Sequence, residues 1–168
     1  MADGKVSSYL HDQLQVGDSV ELFAPAGAFT LAASERPLAL ICAGVGITPM
    51  LPMLEQALAA GRQVHLVHCT RNSQVRAFAD HLAALRASHP QLQVRTCYSE
   101  PLPGDSADAQ GLLSTALLGQ WLPGSDIDAY IVGPQPFMAM VQQQLRTLGV
   151  ADERMHHEFF GPAATLAA

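Results

Sequence analysis

The chain has 168 residues, 49% of them apolar, which suits one compact domain, with or without a small appendage, and a sizeable core. Nine scattered basic residues against 15 acidic ones give a net charge of −6, which argues against a nucleic-acid partner. No apolar run approaches the roughly 18 residues that cross a bilayer, and the N-terminus lacks the apolar stretch of a secretion signal, so we expect a soluble, cytoplasmic chain without a membrane partner.

Residues 1–36 differ in kind from the rest. They predict a short helix over Ser7–Leu14, a strand over Ser19–Ala24 and a second strand over Phe29–Leu31. Two strands are marginal on their own. We therefore interpret residues 1–36 as the end of a preceding β domain and residues 37–168 as a separate α/β domain.

From residue 37 onward, strand-like and helix-like segments alternate, which is typical of a parallel α/β sheet. The pattern predicts an α/β fold with five strands: Leu38–Ala43, Val64–Cys69, Leu92–Cys97, Ala129–Val132 and Met155–Glu158. The first and fourth are apolar on both faces and should be buried, whereas the third and fifth suit the sheet edges. Segment 100–111 has no periodicity and is expected to be an exposed, mobile loop. Three cysteines, an odd number, are interpreted as buried, reduced thiols.

The most informative segment is the glycine turn that follows the first strand. It runs Gly44-Val45-Gly46-Ile47-Thr48-Pro49, and Thr48 and Pro49 are expected to start the next helix. Glycine lets backbone N–H groups approach a bound pyrophosphate, and a helix start adds roughly half a positive charge at the same point. The turn lacks the third glycine of the common dinucleotide fingerprint and the lysine of a Walker loop, so neither standard motif fits.

A second turn, Gly133-Pro134, follows the other buried strand. In open sheets, ligands bind beyond the carboxyl ends of the strands where the winding reverses, and two central strands that end in glycine turns would flank that crevice. A glycine turn alone has an equally good structural explanation. The two turns together favour a dinucleotide site.

Four motifs in order carry a family resemblance: GVGITP, then HCTRN after the second strand, YIVGP after the fourth, and HEFFGP near the C-terminus. This order resembles the nicotinamide-binding half of the ferredoxin-NADP reductase superfamily. More narrowly, it is similar to the reductase region of flavohaemoproteins, the bacterial nitric oxide dioxygenases. The opening segment GKVSSYLHDQLQVGDSVELFAPAGAF resembles the end of their flavin domain, so the similarity covers nearly the whole chain.

The resemblance implies a five-stranded parallel sheet in the order 3-2-1-4-5 with helices on both faces, after a remnant of a β-barrel flavin domain. It implies an NADH or NADPH site and hydride transfer to FAD. In an intact relative, electrons would pass on to haem in a separate globin domain, where bound oxygen oxidises nitric oxide. The flavin and globin domains of the full-length protein are the implied partners.

Site residues follow from the resemblance position by position. The turn from Gly44 to Pro49 would hold the pyrophosphate, with the Thr48 hydroxyl near the nicotinamide and Gly133 and Pro134 walling its pocket. Phe160 would lie against the flavin ring and Glu158 would tune its electrostatics, so Thr48, Glu158 and Phe160 are the expected catalytic residues. The resemblance places four tail residues at the flavin: Phe159, Phe160, Gly161 and Pro162.

Two departures from the family pattern bear on this expectation. The cysteine common before the Gly-Pro turn is Val132 here, and the Arg-x-Tyr-Ser flavin motif is absent. We therefore expect a fragment or isolated domain that binds nucleotide but binds FAD weakly or not at all. The alternative is a nucleotide-binding or interaction domain without catalytic activity.

Other polar residues have weaker assignments. Arg71 could contact the adenine ribose or a 2′-phosphate, or it could be a solvated loop arginine, so NADH against NADPH stays open. His65 and His68 lie three apart on a strand and should point to opposite faces, and His156 and His157 are consecutive, so no metal site is expected.

Overall fold

The computed structural model describes residues 4–24 and 26–158. It forms an α/β fold in which one parallel sheet is covered by helices on both faces. The strands are β1 (Leu38–Ala43), β2 (Val64–Thr70), β3 (Leu92–Tyr98), β4 (Ala109–Gln110), β5 (Asp128–Val132) and β6 (Met155–Glu158). The helices are α1 (Lys5–Asp12), α2 (Met50–Ala59), α3 (Ala79–Ser88), α4 (Thr115–Trp121) and α5 (Gln135–Thr147). No helix among the described residues is long and apolar enough to cross a bilayer.

The strand order is β4-β3-β2-β1-β5-β6, and all neighbours pair in parallel. The predicted order of the five longer strands is confirmed, and the count of five is corrected to six. The additional strand, β4, pairs Ala109 with Cys97 and Gln110 with Tyr98. It lies in the segment expected to be irregular, because a two-residue strand carries no periodicity and forms only where a neighbouring strand offers hydrogen bonds. Beside β4, the carboxyl end of β3 is therefore not a sheet edge.

Strands β1 and β5 are the centre of the sheet, as their two-sided apolar sequences predict. Apart from the half-buried Ala43, every residue of both strands is buried. One core lies between the sheet and α2 and α3, and contains Leu40, Ile47 and Leu54. The second lies between the sheet and α4 and α5, and contains Ile41 and Met138. The chain reverses its winding between β1 and β5, where the crossover passes from one face to the other.

The N-terminal segment corrects two predictions. Helix α1 forms close to the predicted position, but the strands expected over Ser19–Ala24 and Phe29–Leu31 do not form in the described part of that segment. Leu22 and Phe23 are fully or largely exposed. A strand needs a neighbour to take up its backbone hydrogen bonds, and the described chain supplies none there.

The joint to the sheet is held by Tyr130 of β5. Its hydroxyl donates to the Thr30 carbonyl oxygen (3.1 Å) and accepts from the Ala32 N–H (2.8 Å). The Phe29 ring meets the Tyr130 ring edge-on, with 5.5 Å between centroids, and His156 stacks on the same ring at 4.6 Å. Residues 29–32 are thus fixed against the sheet without being part of it.

Candidate functional site

A cavity of about 620 Å³ opens at the carboxyl ends of β1, β2, β3 and β5, where open α/β sheets bind ligands. Its wall is mostly apolar, and the exposed side chains of Val45 (70%) and Leu112 (76%) stand at its rim. The lining residues are Ala43, Gly44, Val45, Gly46, Cys69, Thr70, Arg71, Val75, Cys97, Ser99, Gly111, Leu112, Leu113, Gly133, Pro134, Phe137 and Met140.

The glycine turn forms one side of the cavity as a single 3₁₀ turn over Gly44–Ile47. Gly44 has a φ of +54°, and a Cβ atom there would meet nothing within 4 Å, so its open side faces free space. Gly46 is the opposite case, because a Cβ atom would lie 2.6 Å from the Val132 carbonyl oxygen. The sequence needs glycine at these two positions for different reasons: backbone conformation at Gly44 and close approach to β5 at Gly46.

The expected helix cap at Thr48 is corrected. Helix α2 begins at Met50 with Pro49 as its N-cap residue, and no side chain caps it. The Thr48 hydroxyl instead donates to the Val45 carbonyl oxygen (3.0 Å), as does the Thr48 N–H (3.0 Å). Thr48 therefore closes the 3₁₀ turn instead of capping α2.

The Gly133-Pro134 turn forms the adjacent side. A Cβ atom on Gly133 would lie 2.7 Å from the Phe137 ring and 3.0 Å from the Ala43 Cβ. The absence of a side chain thus lets the first turn of α5 and the end of β1 close over the end of β5. Phe137 and Met140 of α5 extend this wall.

His68 lies beneath the glycine turn, fully buried in β2. Its Nε2 is 3.1 Å from the Gly44 carbonyl oxygen, so the ring donates there, while Nδ1 is buried without a partner. Burial lowers the pKa of His68, the hydrogen bond to Gly44 opposes that shift, and the charge of Arg76 lowers the pKa further. The ring is therefore neutral at pH 7 and fixes the carbonyl of the first glycine.

The side opposite the glycine turns comes from the ends of β2 and β3. Thr70 donates through its hydroxyl to the Asn72 carbonyl oxygen (3.3 Å), and Arg71 accepts at its carbonyl oxygen from the Glu100 N–H (2.8 Å). Asp105 accepts from the Ser73 hydroxyl, the Ser73 N–H and the Leu102 N–H. These bonds hold the loops after β2 and β3 together as one side of the cavity.

The structure brings together six of the sequence-predicted site residues at this cavity: Gly44, Val45, Gly46, Arg71, Gly133 and Pro134. Ile47 is buried in the core below the turn, and the exposed Thr48 and half-buried Pro49 continue the turn without being among the residues that line the cavity. Glu158 ends β6, paired with Val132, next to the Gly133 turn. Phe159, Phe160, Gly161 and Pro162 lie outside the described residues.

Histidine and methionine assignments can be compared directly. His65 is buried, with Nδ1 donating to the Trp121 carbonyl oxygen (2.9 Å), and His157 contacts Gln142 (2.9 Å), so both have structural partners. Met50 and Met53 of α2 are buried in the core. Met140 differs, because it lines the cavity.

Sequence reasoning missed most of the far wall: Cys69, Thr70, Cys97, Ser99, Leu112 and Leu113. The end of β2 could have been included, because the carboxyl ends of all strands in a parallel sheet lie on the same side, and Cys69 and Thr70 are the last residues of β2. Leu112 and Leu113 carried no such signal, because they return to the sheet through the two-residue strand β4 and through contacts with distant residues such as Cys97 and Gln144.

Comparisons with known proteins agree with this geometry. The model of the "Oxidoreductase NAD-binding domain" family matches residues 40–143, which include both glycine turns. The chain is 58% identical over 166 residues to a "Flavohemoprotein" from Pseudomonas putida, covering 98% of this chain and 42% of that protein. It is 53% identical to a "Flavohemoprotein" from Pseudomonas aeruginosa, covering 99% and 43% respectively. The chain thus spans less than half the length of these curated relatives and matches their NAD-binding reductase portion.

A solved structure gives the same result for the fold. The flavohem-like FAD/NAD binding domain of nitric oxide dioxygenase from Vibrio cholerae superposes with a TM-score of 0.83 at 40% identity, covering 95% of this chain and 65% of that one. The expected resemblance to the flavohaemoprotein reductase region and to ferredoxin-NADP reductase-like folds is confirmed. With its parallel sheet, paired glycine turns and matched residues 40–143, the chain belongs to the oxidoreductase NAD-binding domain family.

Proposed function

We propose that this chain is the NAD(P)H-binding module of a flavohaemoprotein-like nitric oxide dioxygenase, and that it presents NAD(P)H to FAD, from which electrons pass to haem in a separate globin domain. The observation that carries this proposal is the Gly44–Ile47 turn, which is packed against the Val132 carbonyl oxygen and open on its cavity side. The names of the relatives and of the Vibrio cholerae structure support the chemistry.

The residues fit a dinucleotide. In a helical turn the first N–H groups have no partner inside the turn, so the start of the Gly44–Ile47 turn can donate to a pyrophosphate. Gly44 leaves room for that approach, and the buried His68 ring donates a hydrogen bond to the Gly44 carbonyl oxygen, which fixes the orientation of that peptide group. Val45 and Leu112 at the rim offer apolar surface for flat ring systems.

Each part of the chain has a role in this proposal. Residues 44–49 bind the pyrophosphate, with Thr48 holding the turn closed and its hydroxyl near the nicotinamide. Gly133 and Pro134 wall the nicotinamide pocket, which excludes water from the reacting ring. Arg71 contacts the adenine end, where its charge also suits a 2′-phosphate. When bound, NAD(P)H would supply a hydride that FAD would accept, and residues 44–49, Gly133 and Pro134 would position the nicotinamide for that transfer.

The domain assignment is also part of the proposal. Residues 1–36 are the end of an FAD-binding β domain, and residues 37–168 are the NAD(P)-binding domain with a flavin-contacting tail. The hydrogen bonds of the Tyr130 hydroxyl to Thr30 and Ala32 support this boundary, because they attach the end of the first segment to the sheet of the second. In this assignment Glu158 and Phe160 act at the flavin, and the flavin and globin domains of the full-length protein are the partners.

A pair of glycine variants tests the nucleotide site. Gly44→Ala keeps the fold free of clashes but strains the turn, so the affinity for NADH or NADPH measured by calorimetry should fall about tenfold, the equivalent of 1.4 kcal/mol. Gly61→Ala is the matched control: its φ is +75°, no atom lies within 4 Å of a Cβ there, and it follows α2 away from the cavity. Equal affinities in both variants, or no heat with either coenzyme in the folded parent, would overturn the proposal.

FAD binding is proposed to be weak or absent, since the Arg-x-Tyr-Ser motif is missing from the chain. Fluorescence titration with FAD tests this point directly, and tight stoichiometric binding would contradict it. NADH oxidation with added FAD and ferricyanide then separates a competent reductase module from a nucleotide-binding domain without activity. Turnover supports the reductase module, whereas nucleotide binding without turnover supports the second class.

A further inference from the structure

Two of the three cysteines lie side by side in the cavity lining. Cys69 of β2 and Cys97 of β3 are directly paired in the parallel register, so their side chains point to the same face of the sheet. Both line the cavity, Cys97 buried and Cys69 half-buried. Cys42 is different, because it is buried in the core on the other face of the sheet.

The strand pairing places the two Cα atoms at a spacing that a disulfide allows. Neighbouring strands lie about 4.8 Å apart, within the roughly 4.4–6.8 Å that a disulfide requires between Cα atoms. The Cys97 thiol donates to the Gly111 carbonyl oxygen (3.4 Å), which holds its sulfur beside the loop that follows β4. A cross-link between Cys69 and Cys97 therefore joins residues that the sheet already holds side by side.

The pair is also chemically asymmetric. A hydrogen bond from the Cys69 thiol lowers the pKa of Cys97, and the same bond, together with burial, raises the pKa of Cys69. Burial alone raises the pKa of Cys42. The thiolate is the nucleophile in thiol chemistry, so the lowered pKa of Cys97, together with its place in the cavity lining, favours it as the residue that is oxidised first. Cys69 lies beside it in the strand register and can resolve it, whereas Cys42 is buried in the core on the other face of the sheet and is out of reach of both.

We propose that Cys69 and Cys97 form a redox-active dithiol in the wall of the cavity, which hydroperoxides oxidise to an intrachain disulfide. The Cys97 sulfur attacks one peroxide oxygen, an S–O bond forms as the O–O bond breaks, and the leaving hydroxide takes a proton to become water. The Cys69 sulfur then attacks the sulfenic sulfur, the S–S bond forms, and the oxygen leaves as a second water. Two thiols lose two electrons, and one hydrogen peroxide gains them.

The oxidation changes the cavity at its far wall. The disulfide replaces the thiol contact with Gly111, which adjoins Leu112 and Leu113 in the lining. A ligand that fills the cavity covers both sulfurs, so a bound nucleotide should slow the reaction. This second statement rests on the proposed function, whereas the oxidation itself does not.

Intact-mass and peptide-mapping spectrometry after treatment with hydrogen peroxide tests the inference. The parent chain should lose the mass of two hydrogens, with Cys69 linked to Cys97 and Cys42 still free to alkylate, and dithiothreitol should reverse the loss. Cys69→Ser and Cys97→Ser should each abolish the mass loss, while Cys42→Ala, the matched control, should retain it. Thermal unfolding of each variant verifies that it is folded.

Three outcomes would overturn the inference: a link that includes Cys42, a disulfide between two chains, or oxidation of Cys97 to sulfinic acid without a link. The reaction is then repeated with saturating NAD⁺, and a rate at least tenfold lower supports the cavity as the route. An unchanged rate in a chain that binds NAD⁺ by calorimetry overturns that route. If calorimetry shows no binding, the proposed function fails while the disulfide result stands.

Discussion

Gly46 shows how one missing side chain positions a whole turn. A Cβ atom there would lie 2.6 Å from the Val132 carbonyl oxygen and 3.1 Å from a Val132 methyl carbon. Backbone cannot yield as a side-chain tip can, so any larger residue must push the turn away from β5. The position therefore determines both the packing of the central strands and the shape of the cavity.

Gly46→Ala should lower the free energy of unfolding by about 2 kcal/mol, in the range of overpacked cores. Gly119→Ala in α4 is the control, because its Cβ meets only the tip of Leu148 at 3.3 Å and alanine favours the helix. That variant should be neutral or slightly more stable. Urea denaturation measures both, and similar losses in the two variants would contradict the packing argument.

His68 links the glycine turn to pH. Its pKa is lowered in the folded chain, so in acid the unfolded chain binds more protons than the folded one. The contribution of His68 to stability is therefore fully present above the ordinary histidine pKa of about 6.5 and is lost as the pH falls below it. His65, also buried with a lowered pKa, acts in the same direction.

His68→Gln should make the loss of stability between pH 7 and pH 5.5 smaller by about 1 kcal/mol, since one proton per pH unit is worth 1.36 kcal/mol. His81→Gln is the control, because His81 is exposed on α3 beside Glu55. Thermal unfolding at several pH values measures the slopes. An unchanged slope in His68→Gln would show that the burial of a neutral His68 ring does not contribute to the pH dependence of stability.

At the scale of elements, an ion cluster centred on a buried aspartate joins the segments that lead into β2, β5 and β6, at the amino-terminal ends of these strands. Asp128 at the start of β5 accepts from Arg62, which precedes β2, and from Arg154, which precedes β6 (3.1 Å). Arg62 also donates to the Arg36 carbonyl oxygen. Burial raises the pKa of Asp128, but hydrogen bonds from Ser34, Arg154 and Arg62 and the charge of Arg62 outweigh it, so the pKa is lowered.

Asp128→Asn should lower the free energy of unfolding at pH 7 by about 3 kcal/mol, because it leaves the buried Arg62 without its counter-charge. Asp126→Asn is the control: its pair with Arg36 is largely exposed, and its loss should cost less than about 1 kcal/mol. The stabilisation by Asp128 is present above the ordinary aspartate pKa and is lost as the pH falls toward its lowered value. Chemical denaturation at pH 7 and pH 3 measures both effects, and an equal loss in the two variants at pH 7 would contradict the burial argument.

The elements that the sequence predicts well are those whose signal is local. The two-sided apolar runs of β1 and β5 each lie within one element, and a glycine turn follows each of them directly. The failures depend on distant partners. Ser19–Ala24 has strand-like residues but no neighbour in the described chain, and β4 has a neighbour but almost no sequence of its own.

At the scale of the molecule, the same distinction explains the site. The glycine turns could be predicted because a glycine directly after an apolar strand is a local signal in the sequence, as at Gly44, Gly46 and Gly133. Cys97 and Ser99 could not, because only the order of the strands brings the end of β3 beside the others. The site lies at the ends of four strands, and the sequence predicts only the two ends, those of β1 and β5, at which the backbone requires glycine.

The Tyr130 hydroxyl connects distant parts of the molecule, since it joins β5 to a segment about 100 residues earlier in the chain. Tyr130→Phe removes both hydrogen bonds and should cost about 1–2 kcal/mol. The Ala32 amide should then exchange with deuterium faster, while amides of β1 keep their protection. Tyr9→Phe, on the exposed face of α1, is the control and should change neither quantity. Unchanged exchange at Ala32 in Tyr130→Phe would mean that the joint is held by Phe29 alone.

The shortest strand, β4, lies at one edge of the sheet, where strands of two molecules could pair at high protein concentration. An open sheet margin is a template on which a strand from another molecule can grow, and the hazard increases with the number of unpaired backbone groups in a row. β4 pairs with only Cys97 and Tyr98 of β3 and is itself two residues long, so the remaining unpaired row of backbone groups on that flank is divided into two short stretches, one on the amino-terminal part of β3 and one on β4. A longer β4 would present a longer row of unpaired backbone groups. We therefore expect a design that lengthens it to lower the solubility of the monomer and to promote fibrous assembly.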